Sequence, residues 1–136
     1  MAYEGDDGSL VVVEYDGDEH YTNTLKIKVD HEKDFAAAGL GYRVVRFPFW
    51  VQLDTRTTRH FFGINADIPL RFPHGFITTR WFPASFCHLG MRRFEQELAR
   101  LEESVRAEVL ESIRDRIAEH GEEYVIPVTL RHLLTQ

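Results

Sequence analysis

The sequence predicts a mixed α/β domain, and three observations carry that expectation. Residues 9–15, SLVVVEY, and 42–47, YRVVRF, are rich in β-branched and apolar side chains and read as strands. Between them lies a helical stretch closed by Gly39 or Gly41. From Met91 onward the apolar residues fall at helical spacing. At 136 residues, 43% hydrophobic and 28% charged, the chain has the length of one domain and enough apolar side chains for a core. Wholesale disorder is excluded by that composition.

The elements follow in order. Asp7-Gly8 is a tight-turn signal ahead of the first strand, and a two-residue turn there would set Glu4 opposite Val11. Asp16-Gly17-Asp18 closes the strand. Thr22, Asn23 and Thr24 are candidate helix caps. Residues 25–29 alternate and leave helix and strand both open, whereas Val29 to Ala38 reads as helix. Pro48 stops the second strand. A short helix is expected over 55–62, capped by Asp54 and ended by Gly63. Residues 63–90 carry Pro69, Pro73 and Pro83 among aromatics and read as irregular chain lying across the core, with short strands or turns inside it. Ser85 precedes a helical stretch and is the expected cap there. Met91, Phe94, Leu98 and Leu101, then Val105, Val109, Ile113 and Ile117, form the stripe of one bent helix or of two, the second capped by Ser104. Gly121 stops it, and 124–128 reads as extended.

Charge is unevenly spread. The net charge is −6, yet residues 42–93 hold 8 arginines against 2 acids. Arginine grips planar anions and phosphate, so this block is a candidate anion-binding face; pairing with the acidic flanks is the competing reading. Ten aromatics share the block, from Phe47 to Phe86. Most must be core, with Trp50 or Trp81 the candidates for an exposed wedge. No apolar run approaches the roughly 20 residues of a membrane helix, and no secretory signal opens the chain, so a cytoplasmic protein is expected. Cys87 is the single cysteine, which excludes an internal disulfide, and it reads as a small buried apolar residue.

The residues with chemical potential cluster at 14–21, EYDGDEHY. Glu14 and Asp16 sit two apart at a strand end and point to one side. Two converging carboxylates suit a hard cation such as Mg²⁺ (or Mn²⁺). His20 can act as a base, bind phosphate or complete a metal shell. Asp16-Gly17-Asp18 also serves as plain turn chemistry, and Asp30 with Lys33 as an ordinary i,i+3 ion pair.

Taken in order, the chain reads E-x-D-G-x-x-H at 14–20, D-x-x-K at 30–33 and G-Y-x-V-x-R at 41–46. This composite resembles the branch of the PD-(D/E)XK, restriction-endonuclease-like superfamily that holds nucleases similar to very-short-patch-repair endonucleases. It covers about residues 9–47, a third of the chain. The resemblance implies a small restriction-endonuclease-like mixed sheet with flanking helices and a C-terminal helical region. Length and pattern together read as a single domain over 1–136: the nuclease-like core motif at 1–48, the aromatic and arginine-rich irregular segment at 49–90, and the helical region at 91–136.

In function, the resemblance implies a metal-dependent endonuclease hydrolysing DNA phosphodiester bonds. Glu14 and Asp16 would bind Mg²⁺ or Mn²⁺, and His20 would join them as the third catalytic residue. Lys33, in place of the family's arginine, with Arg43 and Arg46 would contact DNA. The usual helix and acid-bearing strand ahead of the E-x-D strand are missing. Either the chain is a fragment of a longer protein, or a homodimer or other partner supplies those elements, or the fold persists without the activity. The alternative expectation is a catalytically inactive interaction or assembly domain of the same fold.

Overall fold

The structure is a computed structural model that describes residues 1–69 and 82–135. Three strands form one mixed sheet in the order β1 (Ala2–Glu4), β2 (Leu10–Asp16), β3 (Tyr42–Pro48). β1 and β2 are an antiparallel hairpin with Tyr3 opposite Val11 and Glu4 opposite Leu10. The loop is thus one residue longer than the sequence suggests. Asp7 holds it by accepting from the Ser9 amide and hydroxyl. The shift corrects the expected register: Glu4 shares the strand face of Leu10, Glu14 and Asp16 rather than pointing away, but at the opposite end of β2 from Asp16.

β2 and β3 run parallel, so the chain must cross over between them. It does so through α1 (Glu19–Thr22) and α2 (Thr24–Gly39). Asn23 caps α2 by accepting from the Lys26 amide, so the helix begins five residues ahead of Val29 and absorbs the ambiguous 25–29 stretch. Gly41, at φ +83°, makes the turn into β3. α3 (Thr55–Phe62) starts and stops where the sequence says. Asp54 accepts from the Arg56 and Thr57 amides, Thr57 Oγ1 answers the Asp54 amide, and Gly63 closes the helix in the left-handed region.

The C-terminal region holds α4 (His88–Arg100), α5 (Glu103–His120), α6 (Glu122–Val125) and a 3₁₀ segment, Val128–Thr135. The long stripe is two helices, broken at Leu101 and Glu102. Ser104 is not the cap of the second, nor Ser85 of the first: Cys87 Sγ accepts from the Gly90 amide, and Ser85 bonds back to the Phe82 carbonyl. The expected extended segment at 124–128 is corrected to a helical turn and the start of the 3₁₀ segment. That arrangement buries Val125, Ile126, Leu130 and Leu133 together.

The core is aromatic at its centre. Trp50, fully buried, meets Phe94 edge-on at 4.7 Å between ring centroids, and Tyr21 stacks on Phe86 at 5.1 Å. Trp50 is therefore no exposed wedge, while Trp81, with Phe72 and Phe76, lies outside the described residues. The α5 stripe of Val105, Val109, Leu110 and Ile113 packs into the same core. Arg56 fastens α3 to α5 with two 2.8 Å bonds to Glu108. No helix among the described residues is long and apolar enough to cross a membrane.

Candidate functional site

The parallel pairing of β2 and β3 puts Glu14 opposite Arg46 and carries Asp16 to the end of the sheet. There Asp16 is fully buried. One turn later His20 comes back over it from α1, Nδ1 lying 3.4 Å from Asp16 Oδ1. α2 presents Asp30, also buried, whose Oδ2 accepts from His20 Nδ1. Asp16, His20 and Asp30 each offer a donor atom, and the three atoms lie within 4.8 Å of one another.

Two arginines complete the cluster. Arg46, from β3, donates Nη1 to Asp16 Oδ1 at 2.8 Å, and its Nε and Nη2 to Asp34 at 2.7–3.1 Å. Arg93, from α4, donates Nη2 to Asp16 Oδ2 and Nη1 to Asp30 Oδ2 at 2.9 Å. Both oxygens of Asp16 are thereby held by guanidinium groups from different elements. Arg93 also lies over the Tyr21 ring, 5.1 Å from its centroid. The phenol of Tyr21 donates to Glu97 Oε1 at 2.6 Å, which ties α4 to α1 once more.

Burial and charge pull the acids apart. Burial raises the Asp16 carboxyl above its ordinary value, against the pull of Arg93 and Arg46. Burial acts the same way on Asp30, but hydrogen bonds from His20 and Arg93 outweigh it and hold that carboxyl low. Glu97 is pushed up to about 7 by burial, although the Tyr21 bond and Arg93 oppose the shift. The acids around them raise both Arg93 and Arg46 despite desolvation. The bond between Asp30 and His20 Nδ1 fixes the orientation of the imidazole ring beside Asp16.

Of the residues singled out in sequence, the fold brings together Asp16, His20 and Arg46. Glu14 is exposed and lies outside the three-donor group. Lys33 is exposed on α2; its motif partner Asp30 is the residue that turns inward, and no Asp30–Lys33 ion pair forms. Arg43 is exposed at the far end of β3, beside the hairpin loop. Sequence reasoning missed Arg93 and Glu97. The signal was a polar row, Gly90, Arg93 and Glu97, running beside the apolar stripe of α4. Gly90 is what lets that row reach the site: a Cβ there would stand 1.7 Å from the Tyr21 carbonyl oxygen.

No family model, curated protein or solved structure matches this chain.

Two carboxylates and one imidazole, with donor atoms within 4.8 Å of one another, are a set that could hold a divalent ion. Any such ion has to compete with Arg46 and Arg93 for the oxygens of Asp16.

Proposed function

We propose that this chain is a metal-dependent endonuclease-like domain of restriction-endonuclease-like fold, acting on DNA phosphodiester bonds. The observation that supports this most is convergence. Three sequence pieces that resemble the nuclease motif each send a side chain to one point: Asp16 and His20, Asp30, and Arg46. They come from four different elements or their junctions, so turn chemistry or helix pairing alone does not account for their meeting. Asp16, His20 and Asp30 would hold Mg²⁺ or Mn²⁺, which would activate water and neutralise charge at the phosphate. Arg46 fixes the orientation of Asp16 and ties it to α2 through Asp34. Arg93 does the same from α4.

Calorimetric titration with Mn²⁺, alongside cleavage of duplex and single-stranded DNA, tests the reading. Saturable binding and metal-dependent cleavage, both lost in Asp16→Asn and Asp30→Asn, are expected. Glu14→Ala should retain the metal; loss of binding there would return Glu14 to the ligand set.

A second reading, a non-catalytic interaction or assembly domain, is favoured by one specific observation. Arg46 and Arg93 already supply the positive charge that Asp16 needs. Absence of Mn²⁺ binding at millimolar metal in the folded wild type would sink the nuclease and leave this second reading.

A further inference from the structure

Beside the cluster the fold leaves a cavity of about 380 Å³, walled by α2, β3, α3 and α4. That volume is within the range of small-ligand pockets. Its inner wall is shared with the cluster through Arg46 and Arg93, whose guanidinium groups are committed to Asp16, Asp30 and Asp34. Its outer wall carries three further nitrogen-bearing side chains: Arg100 from the last turn of α4, His31 from α2 and His60 from α3. Among the described residues no side-chain hydrogen bond or salt bridge joins these three to a partner; Arg100 is near enough to Glu97 to oppose its upward shift, and His60 meets the Phe61 ring edge-on at 5.0 Å.

The two carboxylates on the same walls are muted. Asp34 accepts three hydrogen bonds from Arg46. Glu97 accepts from Tyr21, and burial keeps it partly protonated at neutral pH. The remaining lining is largely apolar, from Val44, Val45, Phe61 and Leu101. A cavity with uncommitted donors, satisfied acids and apolar flanks suits an anion carried on a larger organic body. The planar fork of arginine suits phosphate in particular.

We propose that this cavity is a phosphate-ester subsite in which Arg100 grips the phosphate, with His31 and His60 as further donors. A nucleic-acid strand is the occupant we commit to, and that source rests on the nuclease reading. The pocket adjoins the Asp16 cluster through Arg46 and Arg93, so a phosphate held here would neighbour the one presented to the cluster. It also moves the expected DNA contact: Arg46 is occupied by acids, and Arg100 takes the part the sequence suggests for it.

The test is binding of labelled single-stranded and duplex oligonucleotides by fluorescence anisotropy, without divalent metal, over a series of salt concentrations. Arg100→Gln is expected to weaken binding about five- to tenfold and to reduce the log K against log salt slope by about 1. Arg114→Gln, on α5, is the control and should leave both unchanged. Mn²⁺ titration of Arg100→Gln should match the wild type, which separates this subsite from the metal cluster. If the wild type binds and Arg100→Gln binds equally with the same slope, the subsite is overturned while the nuclease reading stands. If the wild type binds no oligonucleotide, inorganic phosphate and a nucleoside monophosphate are titrated while the His31 and His60 ring signals are followed by NMR. Shifts that vanish in Arg100→Gln would keep the phosphate pocket and overturn its nucleic-acid source. Absence of shifts would overturn the proposal altogether.

Discussion

Around the end of β2 the buried side chains are charged: Asp16, Asp30 and Arg93, with Arg46 and Glu97 beside them. Around α5 and the C-terminal 3₁₀ segment they are mostly apolar, Val105, Val109, Leu110, Ile113, Leu130 and Leu133, with Ser112 and Arg116 the polar exceptions on α5. One helix serves both regions, since α4 sends Phe94 and Leu98 into the apolar core and Arg93 into the cluster. The apolar side is non-directional and loses stability in proportion to the volume removed. The charged side is directional, and each group there is tolerable only because its partner is present. Two arginines buried to the same degree make the point. Arg93, 9% exposed and facing Asp16 and Asp30, is raised; Arg116, 8% exposed on α5, is lowered because burial outweighs Glu119 and Asp115.

The sharpest way to break the contrast is Arg93→Met, which keeps much of the volume and removes the charge. It should cost about 3–5 kcal/mol by leaving Asp16 buried without one of its cations. Ile113→Ala should cost a similar amount, about 2–5 kcal/mol, but through a cavity. The two separate on pH: urea melts should show the Arg93→Met deficit shrinking in acid, where Asp16 takes up a proton, and the Ile113→Ala deficit unchanged. Equal pH profiles would mean the cluster does not set the cost.

Gly90→Ala comes next. The added methyl meets the Tyr21 backbone, so α4 must shift from α1, at about 2–3 kcal/mol. The same melts measure it, and a neutral result would mean that the two helices are not held at contact distance.

Glu97 gives a pH effect of the opposite sign to Asp30. Its folded value, about 7, lies above the ordinary 4.5, so the native state holds a proton that the unfolded chain has released. Stability from this group is present in full below about pH 4.5 and is lost as pH rises through about 7, by on the order of 3 kcal/mol. Glu97→Gln should flatten that decline between pH 5 and 8. Asp30, held low, contributes above its ordinary value and loses that contribution as pH falls through its folded value.

The smallest effect belongs to the helix cap. Asp54→Ala should cost about 1 kcal/mol by freeing the first amides of α3. Thermal melts suffice to see it.

Elements whose boundaries are written locally were legible in the sequence. Asp54 and Gly63 bracket α3 because a capping side chain and a left-handed glycine act within one turn. The motif spacing pointed to Glu14, Asp16 and His20 as one cluster; the strand end does carry Asp16 and His20 to one place, but Glu14 stays exposed, and Asp30, expected only on the helix behind the sheet, meets them instead. Arg93 was counted only as one of eight arginines, because its partners Asp16 and Asp30 lie 77 and 63 positions away. The hairpin slipped by one because loop length, not the Asp-Gly pair, sets register. Segment 124–128 looked extended by composition, yet burying Val125, Ile126 and Leu130 together required a turn.

The bond between Arg93 and Asp16 closes a loop of 77 positions, whereas α2, α4 and α5 are built from contacts a few residues apart. Local helices can form on the submicrosecond scale, and long-range closure must wait for the chain ends to meet. The clasp is therefore expected to form after the rate-limiting barrier and to act as a brake on unfolding. Weakening it should leave the speed of folding nearly as it was and shorten the lifetime of the native state.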